Sequence, residues 1–190
     1  MSQVGLLCDA QIRALAQEGM IEPFSEAVRT KGIISYGLDS YGYDFRLGGE
    51  AWAFSDVGTG GSLPVDPKRF DTKLYFPFRL DDPYAVPPRG FVLGLSVERF
   101  KIPRGIMVIG AGKTTYARSG VIVQVTPLNP EWEGVLMLSI SNASPHPVLI
   151  YPREGIAKLL FFRAEATCES SYVELGGKYQ GQEGIVGPRV

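Results

Sequence analysis

Apolar positions in this chain fall mostly into short runs, and only one stretch carries them along a helical face. Near the start, Ile12, Leu15 and Ala16 recur at helical spacing, Asp9 stands where a cap is expected, and Gly19 supplies a stop. Beyond that point the 3.6-residue period fades. Residues 91–97 alternate, with their larger apolar groups on one face, and 106–109, 121–125, 135–140, 148–151 and 156–162 read as further strands. Turn-forming pieces lie between them: Pro103-Arg104-Gly105, Asn129-Pro130, the polar segment 144–147, and 152–155. Short strands at regular spacing predict a mainly β fold, a distorted barrel or jelly roll, behind a short amino-terminal helix. A surface loop is expected over 55–69, which is rich in Gly and Ser.

Composition narrows the class. A chain of 190 residues is long enough to bury a core as one domain, 1–190, without disulfides. Hydrophobic residues make up 45% and charged residues 21%, the balance of an ordinary soluble protein. The formal net charge of -1 argues against a polynucleotide partner, which calls for a basic excess, but leaves room for a local cationic cluster. Cys8 and Cys168 lie far apart, which predicts no disulfide framework and a reducing compartment. No apolar stretch approaches the roughly 18 residues that span a bilayer, and the first residues lack a basic-then-apolar leader. A cytoplasmic protein without a membrane partner is the expectation.

The single histidine, His146, sits between Pro145 and Pro147 and reads as an exposed turn residue. A two-histidine metal site therefore cannot be built. Zinc deaminase chemistry also needs a Pro-Cys-x-x-Cys pair, whereas Cys168 is followed by Glu169, Ser170 and Ser171. The segment Gly110-Ala111-Gly112-Lys113-Thr114-Thr115-Tyr116-Ala117-Arg118 invites a P-loop reading, but Met107 stands where that motif needs its first glycine. No long helix is expected after it to receive phosphates. The local chemistry is nonetheless that of an anion site: two cations, Lys113 and Arg118, and two hydroxyls, Thr114 and Thr115. The glycine-rich end, 176–184, is too flexible for a helix and reads either as a frayed tail or as a flap supplying Lys178 and Gln182 to a ligand.

Ordered stretches along nearly the whole chain resemble the dCTP deaminase family, whose fold is similar to that of trimeric dUTPases. They include Ser40-Tyr41-Gly42-Tyr43-Asp44, Gly112-Lys113-Thr114-Thr115-Tyr116-Ala117-Arg118 and Val125-Thr126-Pro127. Pro130-Glu131-Trp132-Glu133-Gly134 and Gly177-Lys178-Tyr179-Gln180-Gly181-Gln182 complete the set. The resemblance implies that Thr114, Thr115 and Arg118, with Lys113, contact phosphates. It implies that Gln124, Val125 and Pro127 meet the pyrimidine. Tyr172, Lys178 and Gln182 would belong to a lid over 172–190 that closes on the triphosphate, so the tail becomes functional rather than frayed. A homotrimer, a Mg2+ ion held through the triphosphate, and no protein metal site are implied as well.

Two positions depart from the pattern. Deaminating members carry a glutamate on the strand that follows the Trp132-Glu133-Gly134 stretch, where it relays protons between water and cytosine; that place falls on Ser139. Losing a general acid/base typically costs about 10²–10⁴ in rate. Asn129 stands where an acidic residue would orient water and the sugar 3′-hydroxyl. The leading expectation is therefore a dUTP diphosphatase with Ser139 and Asn129 at its centre. The alternatives are a zinc-independent dCTP deaminase and a non-catalytic nucleotide-binding variant.

Overall fold

The computed structural model describes residues 4–54 and 64–190. Along the chain run β1 (Gly5–Leu6), α1 (Asp9–Gln17), β2 (Ile21–Glu22), β3 (Gly37–Asp39), β4 (Gly42–Phe54), β5 (Tyr75–Arg79) and β6 (Tyr84–Val86). There follow β7 (Phe91–Lys101), β8 (Ile106–Gly112), α2 (Thr114–Ala117), β9 (Val121–Gln124), β10 (Glu133–Asn142), β11 (Val148–Ile150) and β12 (Gly155–Arg163). The main sheet has the order β1-β12-β4-β7-β10-β9. β8 lies beside β12, β3 and β5 beside β4, and β2 beside β7, while β6 and β11 pair separately. All these pairings are antiparallel. The sheet curls into a half-barrel.

Curling places Tyr43, Phe45 and Leu47 of β4, Phe100 of β7, Val108 of β8 and Phe161 of β12 in one fully buried core. Burying each such side chain is worth about 1.5–3 kcal/mol. β10 obeys the period-2 rule throughout. Leu136, Leu138 and Ile140 are buried in the core, while Val135, Met137, Ser139 and Ser141 stand half-exposed on the outer face. There Val135 and Met137 pack against a smaller cluster of Leu93, Leu95 and Ile185. Glu98 of β7 is fully buried and accepts from the Arg46 backbone N–H at 3.0 Å and from Arg46 Nε at 2.7 Å, tying β4 to β7. Burial pushes its carboxyl upward against the opposing pull of Arg46.

The expected helix forms, with one correction. Cys8, not Asp9, is the amino-terminal cap: Gln11 Oε1 accepts the Cys8 backbone N–H at 3.0 Å, and Asp9 is already inside the first turn. The expected strands all appear, several of them longer than their apolar runs, with β7 continuing to Lys101 and β8 to Gly112. β4, the 13-residue strand that pairs with β3, β5, β7 and β12, has no counterpart in the sequence reading. Its Gly48-Gly49 pair lies at a register shift between Leu47 and Ala51, which breaks the alternation. Of the loop expected over 55–69, residues 55–63 lie outside the described residues, and the remainder is coil and turn. His146 is exposed in a turn, as expected.

Candidate functional site

The anion-type loop begins where β8 ends. α2 is a single turn, closed by the Ala117 N–H donating to the Lys113 carbonyl at 3.0 Å. Tyr116 points inward and is buried, and its hydroxyl accepts the Tyr151 backbone N–H at 3.1 Å. Burial pushes that phenol up to about 12. With Tyr116 as an anchor, Thr114, Thr115 and Arg118 are presented to solvent.

Lys113 behaves differently from the expectation. Its Nζ lies 2.6 Å from Asp44 Oδ2, with only 9% of the lysine side chain and 12% of the aspartate exposed. The ammonium is thus engaged with a carboxylate from β4 rather than free for a phosphate. The stem passes so close to Gly155 that a Cβ there would lie 3.2 Å from Lys113 Cε. Asp44 Oδ1 has no hydrogen-bond partner among the described residues and sits 3.9 Å from Lys158 Nζ. Arg118 is left as the exposed cation of α2 and its cap.

The second part of the site follows β9. Val125 packs so tightly on β8 that a Cβ on Gly110 would lie 2.3 Å from its own Cβ. The Leu128 N–H donates to the Val108 carbonyl at 2.9 Å, fixing the turn. A cavity of about 200 Å³ opens here, lined by Thr126, Pro127, Leu128, Asn129, Trp132, Leu136, Met137, Tyr172, Tyr179 and Gln182. It lies where β10 changes neighbours. Its register with β9 covers only Ser139 to Asn142, and the carboxyl-terminal segment meets it in a parallel bridge between Gly134 and Gln182.

That segment is held over the cavity by several bonds. Trp132 Nε1 donates to the Tyr179 carbonyl at 3.0 Å, and the Tyr179 N–H donates to the Tyr172 hydroxyl at 3.1 Å. The Gln182 carbonyl accepts the Val135 N–H at 2.7 Å. Gly134 permits this approach: its φ is +152°, and a Cβ would stand 2.8 Å from the Gln182 carbonyl oxygen. Gln182 is 9% exposed, and its Nε2 has no hydrogen-bond partner among the described residues. An unmet buried amide of this kind costs about 1–3 kcal/mol.

The fold therefore unites Pro127, Asn129, Tyr172 and Gln182 around one cavity. It keeps other expected residues apart. Ser139 is paired with Gln124 of β9 and Leu93 of β7 on the outer face and does not line the cavity. Thr115 lines a separate open cleft with Arg29, Lys31 and Glu154. Lys178 is exposed, with Nζ 3.4 Å from the Arg189 carbonyl. Thr126, Trp132 and Tyr179 line the cavity without having been singled out, although the Val-Thr-Pro, Pro-Glu-Trp-Glu-Gly and Gly-Lys-Tyr-Gln segments contain them. Among the described residues no group of three or more His, Cys, Asp or Glu side chains converges as a metal site.

This architecture is a mainly β fold of the dUTPase-like class. It aligns with a solved structure of 2′-deoxycytidine 5′-triphosphate deaminase from Agrobacterium tumefaciens at a TM-score of 0.64 and 19% identity, over 86% of this chain. This chain spans about half, 49%, of the length of that protein. The family model for dCTP deaminase-like proteins matches residues 6–164. Curated relatives named dCTP deaminase are 48% identical over 96% of this chain in Acidobacterium capsulatum and 47% over 98% in Helicobacter hepaticus. Another, from Gluconobacter oxydans, is 49% identical over 97%. These alignments cover 97%, 99% and 99% of the respective relatives. The chain belongs to the dCTP deaminase family.

Proposed function

We propose that the chain binds dCTP with its base in the cavity beneath Gln182 and hydrolyses it to dUTP and ammonia, using no zinc. The observation that carries this reading is the near end-to-end likeness to relatives named for that reaction. That likeness favours deamination over the dUTP cleavage ranked first from sequence. The unmet Gln182 amide and the stretch of β10 edge between β9 and the tail offer polar groups that a pyrimidine edge can satisfy. Tyr172 and the tail keep water from the bound ligand.

Thr114, Thr115 and Arg118 would meet the phosphates. Magnesium fits as part of the nucleotide: the loop offers hydroxyls and a guanidinium, and among the described residues no carboxylate group gathers to take the ion from the triphosphate. The ion would neutralise phosphate charge. The expected residues lie in two groups, one at α2 and one at the cavity. A site completed between copies in a homotrimer would join them. The half-exposed Val135 and Met137 on the outer face of β10 support such packing. A substrate drawn from the free nucleotide pool suits a cytoplasmic protein.

Ser139 lies outside the cavity of its own copy, so it would meet the base across a boundary between copies, and there it sets the expected rate. Beside Gln124 its hydroxyl can hold a water, but neither group is basic near neutral pH. Turnover should be slower than with a glutamate by about 10²–10⁴. Purified protein given Mg-dCTP should release ammonia slowly, and Ser139→Glu should raise that rate by a factor in the same range. A second reading, cleavage of dUTP to dUMP and pyrophosphate, is favoured by Ser139 itself, since uracil needs no proton relay. Asn129 would then orient water near the sugar. Pyrophosphate from dUTP with no ammonia from dCTP would replace the first reading with the second. Binding without either product would leave a nucleotide-binding variant.

A further inference from the structure

Two arginines tie the carboxyl-terminal segment to the body, and they do so at different places. Arg104, in the β7–β8 turn, donates to Glu131 at 3.2 Å and, with both terminal nitrogens at 2.9 Å, to Glu174. It also reaches the carbonyls of Cys168 at 3.3 Å and Glu169 at 3.0 Å. This clamp fixes the start of the segment. Arg99, on β7, donates to Glu133 of β10 from Nη2 at 3.0 Å and from Nε at 3.3 Å, and its Nη1 bonds to Glu183. Glu183 is the residue after Gln182.

The geometry points to Arg99 as a positioning residue for Gln182, resting on the nucleotide-site reading given above. Where the segment runs beside β10, neighbouring side chains point opposite ways. Glu183 is drawn outward to Arg99, and Gln182 is thereby turned inward, where it lines the cavity and its Nε2 has no partner among the described residues. Two backbone bonds share the load: Val135 N–H to the Gln182 carbonyl at 2.7 Å and Gly181 N–H to the Glu133 carbonyl at 2.9 Å. Glu133 is thus at once a side-chain ligand of Arg99 and a backbone acceptor for the tail. Side-chain exposure is 34% for Arg99, 35% for Glu133 and 68% for Glu183, so the latch is screened and weak. A weak latch suits a segment that must release its ligand.

The test has two independent readouts. In ligand-free protein, Glu183→Gln should speed hydrogen exchange at the Val135 and Gly181 amides by about two- to fivefold, the range of an exposed ion pair. Arg99→Gln, which leaves Glu133 and Glu183 facing one another, should do at least as much, and Arg99→Lys should restore part of the protection. Glu174→Gln, which breaks the other clamp, should loosen 171–174 but leave the Val135 amide protected. With Mg-dCTP, Glu183→Gln should raise KM by no more than the same factor while kcat holds. Unchanged exchange at Val135 and Gly181 in both the Glu183 and Arg99 variants, or equal loss in Glu174→Gln, would overturn the inference. If wild-type protein binds no dCTP, the nucleotide reading fails, while the exchange data still decide whether Arg99 sets the tail.

Discussion

At the β8–β9 loop the groups that fix the backbone are buried: Lys113 against Asp44, and Tyr116 against the Tyr151 N–H. At the tail they are half-exposed arginine–glutamate pairs and a few backbone bonds. Both regions carry residues expected to touch one ligand, yet only the second can let go cheaply. A phosphate loop gains from rigidity because its donors must be in place before charge arrives. A lid gains from closing energies near those of surface ion pairs, because opening then costs little.

Asp44→Asn would break the loop end most severely. It leaves the Lys113 ammonium buried without its counter-charge, a change worth about 3–5 kcal/mol, and urea unfolding should show the midpoint falling accordingly. A smaller effect is expected from Gly134→Ala, which forces a side chain into a positive-φ position and against the Gln182 carbonyl. Strain of that kind costs about 1–3 kcal/mol, and it should appear mainly as lost protection of the tail amides. The smallest effect belongs to Glu174, whose carboxyl Arg104 holds down at about 2, well below its ordinary value of 4.5. A depressed carboxylate contributes stability fully above its unfolded pKa and loses it as pH falls through the folded one. The Arg104 clamp should therefore be intact at neutral pH and loosen only between about 4.5 and 2. Titrating Glu174 by NMR should find it returning toward the ordinary range in Arg104→Met.

Much of this was written locally. The alternation in 91–97 and the spacing of Ile12, Leu15 and Ala16 mark β7 and α1 because one face of each is buried. β4 escaped because Gly48 and Gly49 interrupt its alternation at the bulge. Pro127, Asn129, Tyr172 and Gln182 were expected from the sequence to share one ligand, and the fold gathers them at one cavity. The inward turn of Lys113 was not legible, because its partner Asp44 lies 69 positions earlier in the chain and only the pairing of β12 with both β4 and β8 brings the two together. The separation of Ser139 from the cavity was hidden for a related reason. It depends on where β9 leaves β10, a register that no local pattern records.

The junction on β10 has one more consequence. β9 covers the last four residues of that edge, and the tail touches it again at Gly134, so a short length of strand between them is roofed by the same segment that roofs the cavity. Open strand edges are where sheets recruit foreign strands. The tail is thus a seam as well as a lid. A chain that lost it would expose backbone ready to pair with the wrong neighbour, so keeping the seam closed serves solubility as much as chemistry.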